Sequence, residues 1–191
     1  MGCEFTQIGV GNQGYATTGN GGYPILGSSW NFYKSGVARS FTGLGIDYVF
    51  VAEGLNDHGQ SGATVTANAT GIFTAMRTGT GHFDAGTRIF VVPPLNPSPF
   101  GSPNVTSALT SAATAAADSL LTMVALPSEF QNSAFTSTHP GSWCSLDGLH
   151  LNGGARAGLD GNCQGLIWYS VAMAVQAALT PAGGGSFVVV Q

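Results

Sequence analysis

Asp147 and His150 stand three residues apart in the stretch SLDGLHLNGGA, residues 145–155, just before the last helical pattern of the chain. A carboxylate that holds one ring nitrogen of an imidazole leaves the other nitrogen free to take a proton. The pair therefore fits a general base and its orienting acid. The plainer alternative is an Asp that caps a turn beside a His that is a satisfied polar residue. A second stretch, EGLNDHG at 53–59, carries Asn56 and Asp57 behind Gly54. An amide side chain there can donate to an oxyanion, or the two residues can form a simple Asx turn. A third stretch, GVGNQG at 9–14, places Gly11 and Asn12 where a tight turn leaves backbone N–H groups exposed, and it too can be only a turn.

These stretches have to be positioned by regular elements. CEFTQIGVG at 3–11, IDYVFVAEG at 46–54 and TRIFVVPPLNP at 87–97 are apolar runs that end in glycine or proline. Runs apolar on both faces suit parallel strands covered by helices. Helical stripes lie between and after them. Val65, Ala69, Ile72, Phe73 and Met76 form one; Val105, Leu109, Ala112, Ala113, Ala116 and Leu120 a second; Ile167, Val171, Ala174, Val175 and Ala178 a third. Strand–helix alternation predicts an α/β fold with a mainly parallel sheet. In such sheets ligands bind beyond the carboxyl ends of the strands, and all three chemical stretches sit at such ends or before the final helix. Two long segments, 12–44 and 127–161, lack periodicity; the first is rich in aromatics (Tyr15, Tyr23, Trp30, Phe32, Tyr33). Long aperiodic segments of this kind are functional or disordered, and the first reads as a sugar-binding face or a packed lid.

Composition narrows the function classes. With 191 residues the chain fits one domain, 1–181, followed by a Gly-rich hinge and terminal strand over 182–191. Only 7% of residues are charged, against about 25% on average, yet the apolar and aromatic content argues against disorder. Net charge is −4 with five scattered Lys and Arg, which lacks the cationic footprint of a nucleic-acid binder. No apolar run is long enough to span a membrane. MGCEFT fits the bare myristoylation pattern, but the residues after it read as a buried strand. Cys144 and Cys163 bracket the Asp–His stretch and form either a disulfide or two buried thiols. A zinc site from Asp147, His150 and His139 is a further alternative; no cofactor is expected. Low charge with many Thr, Ser, Gly and Asn suggests an exported or phage-type protein.

The combination resembles the SGNH hydrolases of the GDSL-type esterase superfamily. GLND at 54–57 is similar to that family's third block, DGLHLN at 147–152 to its fifth, and IGVGNQGY at 8–15 to its second. The likeness covers residues 5 to 179. It implies a three-layer, flavodoxin-like α/β fold and hydrolysis of an acyl or acetyl ester on a carbohydrate or small alcohol. In that mechanism a Ser attacks the ester, His150 relays the proton and Asp147 orients His150. The Asn56 amide and backbone N–H groups at Gly11 or Asn12 form the oxyanion hole, with Gly54 and Asp57 in support. A non-catalytic glycan-binding or phage-structural module on the same scaffold is the rival reading.

The sequence departs from the family in two places. No G-D-S block is present, and GSS at 27–29 and GQSG at 59–62 are poor substitutes, so the nucleophile is unassigned. Asn12 stands where the family has a glycine. In the family's sheet the first strand lies between the second and third. Without it, strands 3–11 and 46–53 would be two spacings apart, about 9.5 Å, with unpaired inner edges. The expectation is that Met1 is an internal methionine and that the upstream reading frame encodes the missing strand and Ser. The alternative is that SFVVVQ near the C-terminus fills the slot.

Overall fold

Thr and Ser, more than charged residues, supply the polar side chains of the helices at 62–78 and 103–116. In the computed structural model, which describes residues 14–17, 39–94, 103–126 and 163–179, the hydroxyls of Thr70, Thr78, Thr110, Ser111 and Thr114 each donate to the carbonyl one helical turn back. The side chains satisfy themselves on the helix surface, so few charges are needed there.

Three parallel strands, β1 (Tyr48–Val51), β2 (Arg88–Val91) and β3 (Leu121–Met123), form a sheet in the order β1-β2-β3. Tyr48 to Val51 register with Arg88 to Val91, and Ile89 to Val91 with Leu121 to Met123. Helix α1 (Gly62–Thr78) links β1 to β2, and α2 (Pro103–Ala116) precedes β3. Helix α3 (Cys163–Leu179) is the last described element. The fold is therefore α/β with a parallel sheet.

Alternation along the strands sorts the core into two layers. Ile89 and Val91 point to one face, with Val49 and Val51, and pack on α1 and α2. Phe90 and Val92 point to the other, where Val171, Ala174, Val175 and Ala178 of α3 cover them. The α1 stripe expected from the sequence is the set that is buried: Val65, Ala69, Ile72, Phe73 and Met76.

Two expectations need correction. Leu120 does not continue the α2 stripe. The helix ends at Ala116, Ala117 turns left-handed at φ 50, and Asp118 Oδ1 accepts the Leu120 N–H at 2.9 Å. Leu120 then accepts from Ile89 N and leads into β3, a strand that the helical pattern conceals. Second, β1 is not covered on both faces. Tyr48 is 41% and Phe50 38% exposed, although Phe50 stacks on Phe90 at 5.5 Å. Only β2 has the two-sided burial expected of both strands. The expected strand at 3–11, the aromatics Tyr23, Trp30, Phe32 and Tyr33, the 127–161 segment and the 182–191 tail lie outside the described residues, as does any Cys144–Cys163 bridge.

Candidate functional site

Beyond Val51 the chain leaves the carboxyl end of β1, and Gly54 makes the turn possible. Its φ is 112, a left-handed value that L side chains rarely adopt. A Cβ there would also lie 3.0 Å from Val105 of α2 and 3.4 Å from Pro94 at the exit of β2. Gly54 thus lets three elements meet at one rim. A single 3₁₀ turn, Leu55–Asp57, comes next.

Asp57 is fully buried. Its two oxygens accept the backbone N–H groups of Tyr15, at 2.7 Å, and Ala16, at 2.9 Å. The Thr17 hydroxyl donates to the Asn56 carbonyl at 2.9 Å, and Gly14 N–H closes the small turn onto Thr17 O. A Cβ on Gly14 would lie 2.5 Å from Oδ1 of Asp57, so the carboxylate can approach only a glycine. The glycine-rich segment at 8–15 and GLND at 54–57 are thereby brought together, at residues Gly14 and Tyr15 of the first. The sequence alone does not disclose this contact, because there Asp57 reads only as support for Asn56. The signal is a Gly followed by an aromatic, but its partner lies 42 residues away.

The clasp sits in an acidic, partly dehydrated setting. Burial, and next the nearby Asp57 carboxylate, push the Glu53 carboxyl up to about 7 from an ordinary 4.5. Burial chiefly, then Glu53 and Asp57, hold the Tyr15 phenol well above its ordinary value of 10. Tyr15 is 1% exposed, lies edge-on to Phe73 at 6.0 Å, and its hydroxyl has no hydrogen-bond partner among the described residues. Of the aromatics in 12–44, Tyr15 is therefore a core residue and not part of an open sugar face.

Asn56 is half-buried on this rim. Asp147, His150, Gly11, Asn12 and the alternative zinc residue His139 lie outside the described residues. Among the described residues no cluster of three or more His, Cys, Asp and Glu side chains suits a metal ion, and no helix is long and apolar enough to cross a membrane. His58 is exposed and His82 half-buried, and each ring approaches a backbone carbonyl. Ser61 of GQSG is the N-cap of α1, with its Oγ accepting the Thr64 N–H at 3.1 Å, so its lone pair serves the helix. A groove of about 380 Å³ between the first turns of α1 and α2 is lined by Gly62, Thr66, Asn104, Ser107, Ala108 and Ser111, none of them a titratable acid or base. The rim at 14–17 and 53–57 is the stronger candidate. No family model, no curated protein and no solved structure matches the chain.

Proposed function

We propose that this chain carries the base and oxyanion half of an SGNH-type serine ester hydrolase with a flavodoxin-like sheet. The observation that carries this reading is the clasp at the carboxyl end of the sheet, where Asp57 binds the 14–17 turn to the turn bearing Asn56. Two of the three sequence blocks then share one rim, where open parallel sheets bind ligands. The parallel order β1-β2-β3 supports the same reading.

In this mechanism Asn56 donates its amide to the carbonyl oxygen of an acyl or acetyl ester as negative charge develops. Gly11 or Asn12 adds a backbone N–H, and one such donor contributes about 2.7–4 kcal/mol to transition-state stabilisation. His150, oriented by Asp147, takes the proton from a serine hydroxyl and returns it to the departing alcohol. The step needs no cofactor. The alcohol is a carbohydrate or small-molecule hydroxyl.

The test uses the longest reading frame that encodes this chain. Hydrolysis of p-nitrophenyl acetate is expected, and His150→Ala should lower kcat by roughly a thousandfold or more without loss of fold by circular dichroism. A folded, inactive full-length protein that retains glycans on an array would instead favour the non-catalytic module.

A further inference from the structure

A carboxylate removed from water needs compensation, and Asp57 finds it in backbone donors. The ion pair described in this structure, Arg77–Asp118, lies at the opposite end of the sheet. Each Asp57 oxygen takes one N–H, so the carboxylate plane is fixed by two bonds that converge from consecutive residues. Gly14 admits this approach because a Cβ would meet Oδ1, Cγ and Oδ2 at 2.5–2.7 Å. Thr17 adds a bond to the carbonyl of Asn56 itself. The covalent chain alone keeps the Cα of Asn12 within two residues' reach of Gly14, roughly 7 Å.

We propose that Asp57 is a positioning residue, whose carboxylate sets the backbone of the 14–17 turn against the turn that carries Asn56. It does not touch the substrate; it acts through the peptide groups of Tyr15 and Ala16. Its catalytic meaning rests on the ester-hydrolase reading, whereas the positioning itself does not.

The experiment tracks amide protons by ¹H–¹⁵N spectroscopy. In Asp57→Asn, one acceptor becomes a donor. Exchange at these two amides should then quicken by roughly 10–100-fold, with Ile89 and Leu109 unchanged. Thr17→Val, which loses only the bond to Asn56, covers the case in which Asp57→Asn does not fold; it should quicken the same two amides by severalfold. Unchanged exchange in a folded Asp57→Asn, or in Thr17→Val where Asp57→Asn does not fold, overturns the proposal. With the active full-length protein, Asp57→Asn should lower kcat roughly 10–100-fold while KM changes little; an unchanged kcat also overturns it. Absence of esterase activity in the unaltered full-length protein defeats the functional reading alone, because the amide measurements stand without it.

Discussion

Asp57 and Asp84 perform the same operation at opposite ends of one sheet. Asp84, before β2, accepts the N–H groups of Gly43 at 2.7 Å and Gly45 at 3.2 Å, and so ties down the turn that enters β1. Asp57, after β1, accepts Tyr15 and Ala16. Both partners lie about 40 residues away in sequence. The surroundings differ. The Asp84 bonds are exposed, and its end of the sheet is stitched further by Thr87 to the Ile46 carbonyl, by Thr42 to the His82 carbonyl and by the Arg77–Asp118 pair at 2.6 Å. Phe41 stacked on Phe83 at 4.8 Å closes it with apolar surface. Asp57 is buried beside a second acid, Glu53, and a phenol whose hydroxyl has no hydrogen-bond partner among the described residues. The amino end is held by several bonds, exposed at Asp84 and Thr42 and partly buried at Thr87 and Arg77. Among the described residues, the carboxyl end is held by the buried Asp57 carboxylate and the Thr17–Asn56 bond. That asymmetry supports the site proposed at the carboxyl end.

The comparison breaks most directly at Asp57 itself. Asp57→Ala leaves the buried Tyr15 N–H and the partly buried Ala16 N–H without their acceptor and should destabilise the protein by about 3 kcal/mol. Urea denaturation reads this, and a loss below about 1 kcal/mol would make the two ends equivalent. Next comes Gly14→Ala, expected to cost about 2 kcal/mol through overpacking. Because the added Cβ meets the Asp57 carboxylate, most of that cost should vanish in the Asp57→Ala background, and a double-mutant cycle measures the coupling.

Glu53 sharpens the contrast through pH. Its folded-state value of about 7 exceeds the ordinary 4.5, so the folded protein binds this proton more tightly than the unfolded chain. The Glu53 contribution to stability is fully present below about 4.5 and is lost as pH rises through about 7. Partial exposure to solvent limits it to about 1–3 kcal/mol. Glu53→Gln should flatten this part of the pH profile, which urea midpoints between pH 4.5 and 8 would record. A slope of the same size in the Gln variant would assign it elsewhere. The smallest effect is expected at the other end: Asp84→Asn should cost about 1 kcal/mol or less, because water replaces exposed bonds readily.

Much of this fold is legible in the residues. The five-residue α1 stripe is the buried set without change, and the apolar runs at 46–54 and 87–97 contain β1 and β2. Gly54 and Asn56 fall in the turn that follows β1, at the strand end expected of them. The failures are equally specific. Leu120 matches a helical period by chance of spacing, while Asp118 has already turned the backbone. The run in β1 promises cover on both faces, yet cover for Tyr48 and Phe50 depends on which neighbour arrives, and α3 reaches Phe90 and Val92 instead. The hydroxyl of Ser61 resembles a weak nucleophile in sequence and is the cap of α1.

The sequence by itself determined the period of each helix, the apolarity of the strands, the glycine at the rim and the types of group available for chemistry. These are properties of neighbours along the chain, and local sterics and burial periodicity record them directly. Tertiary structure alone decided that Asp57 is buried, that Gly14 and Tyr15 meet it, and that one acid end differs from the other. A carboxylate in a turn reads the same whether water or a distant peptide answers it. Which one does depends on a segment 41–42 residues away closing over it, and on the long-range packing that brings that segment in.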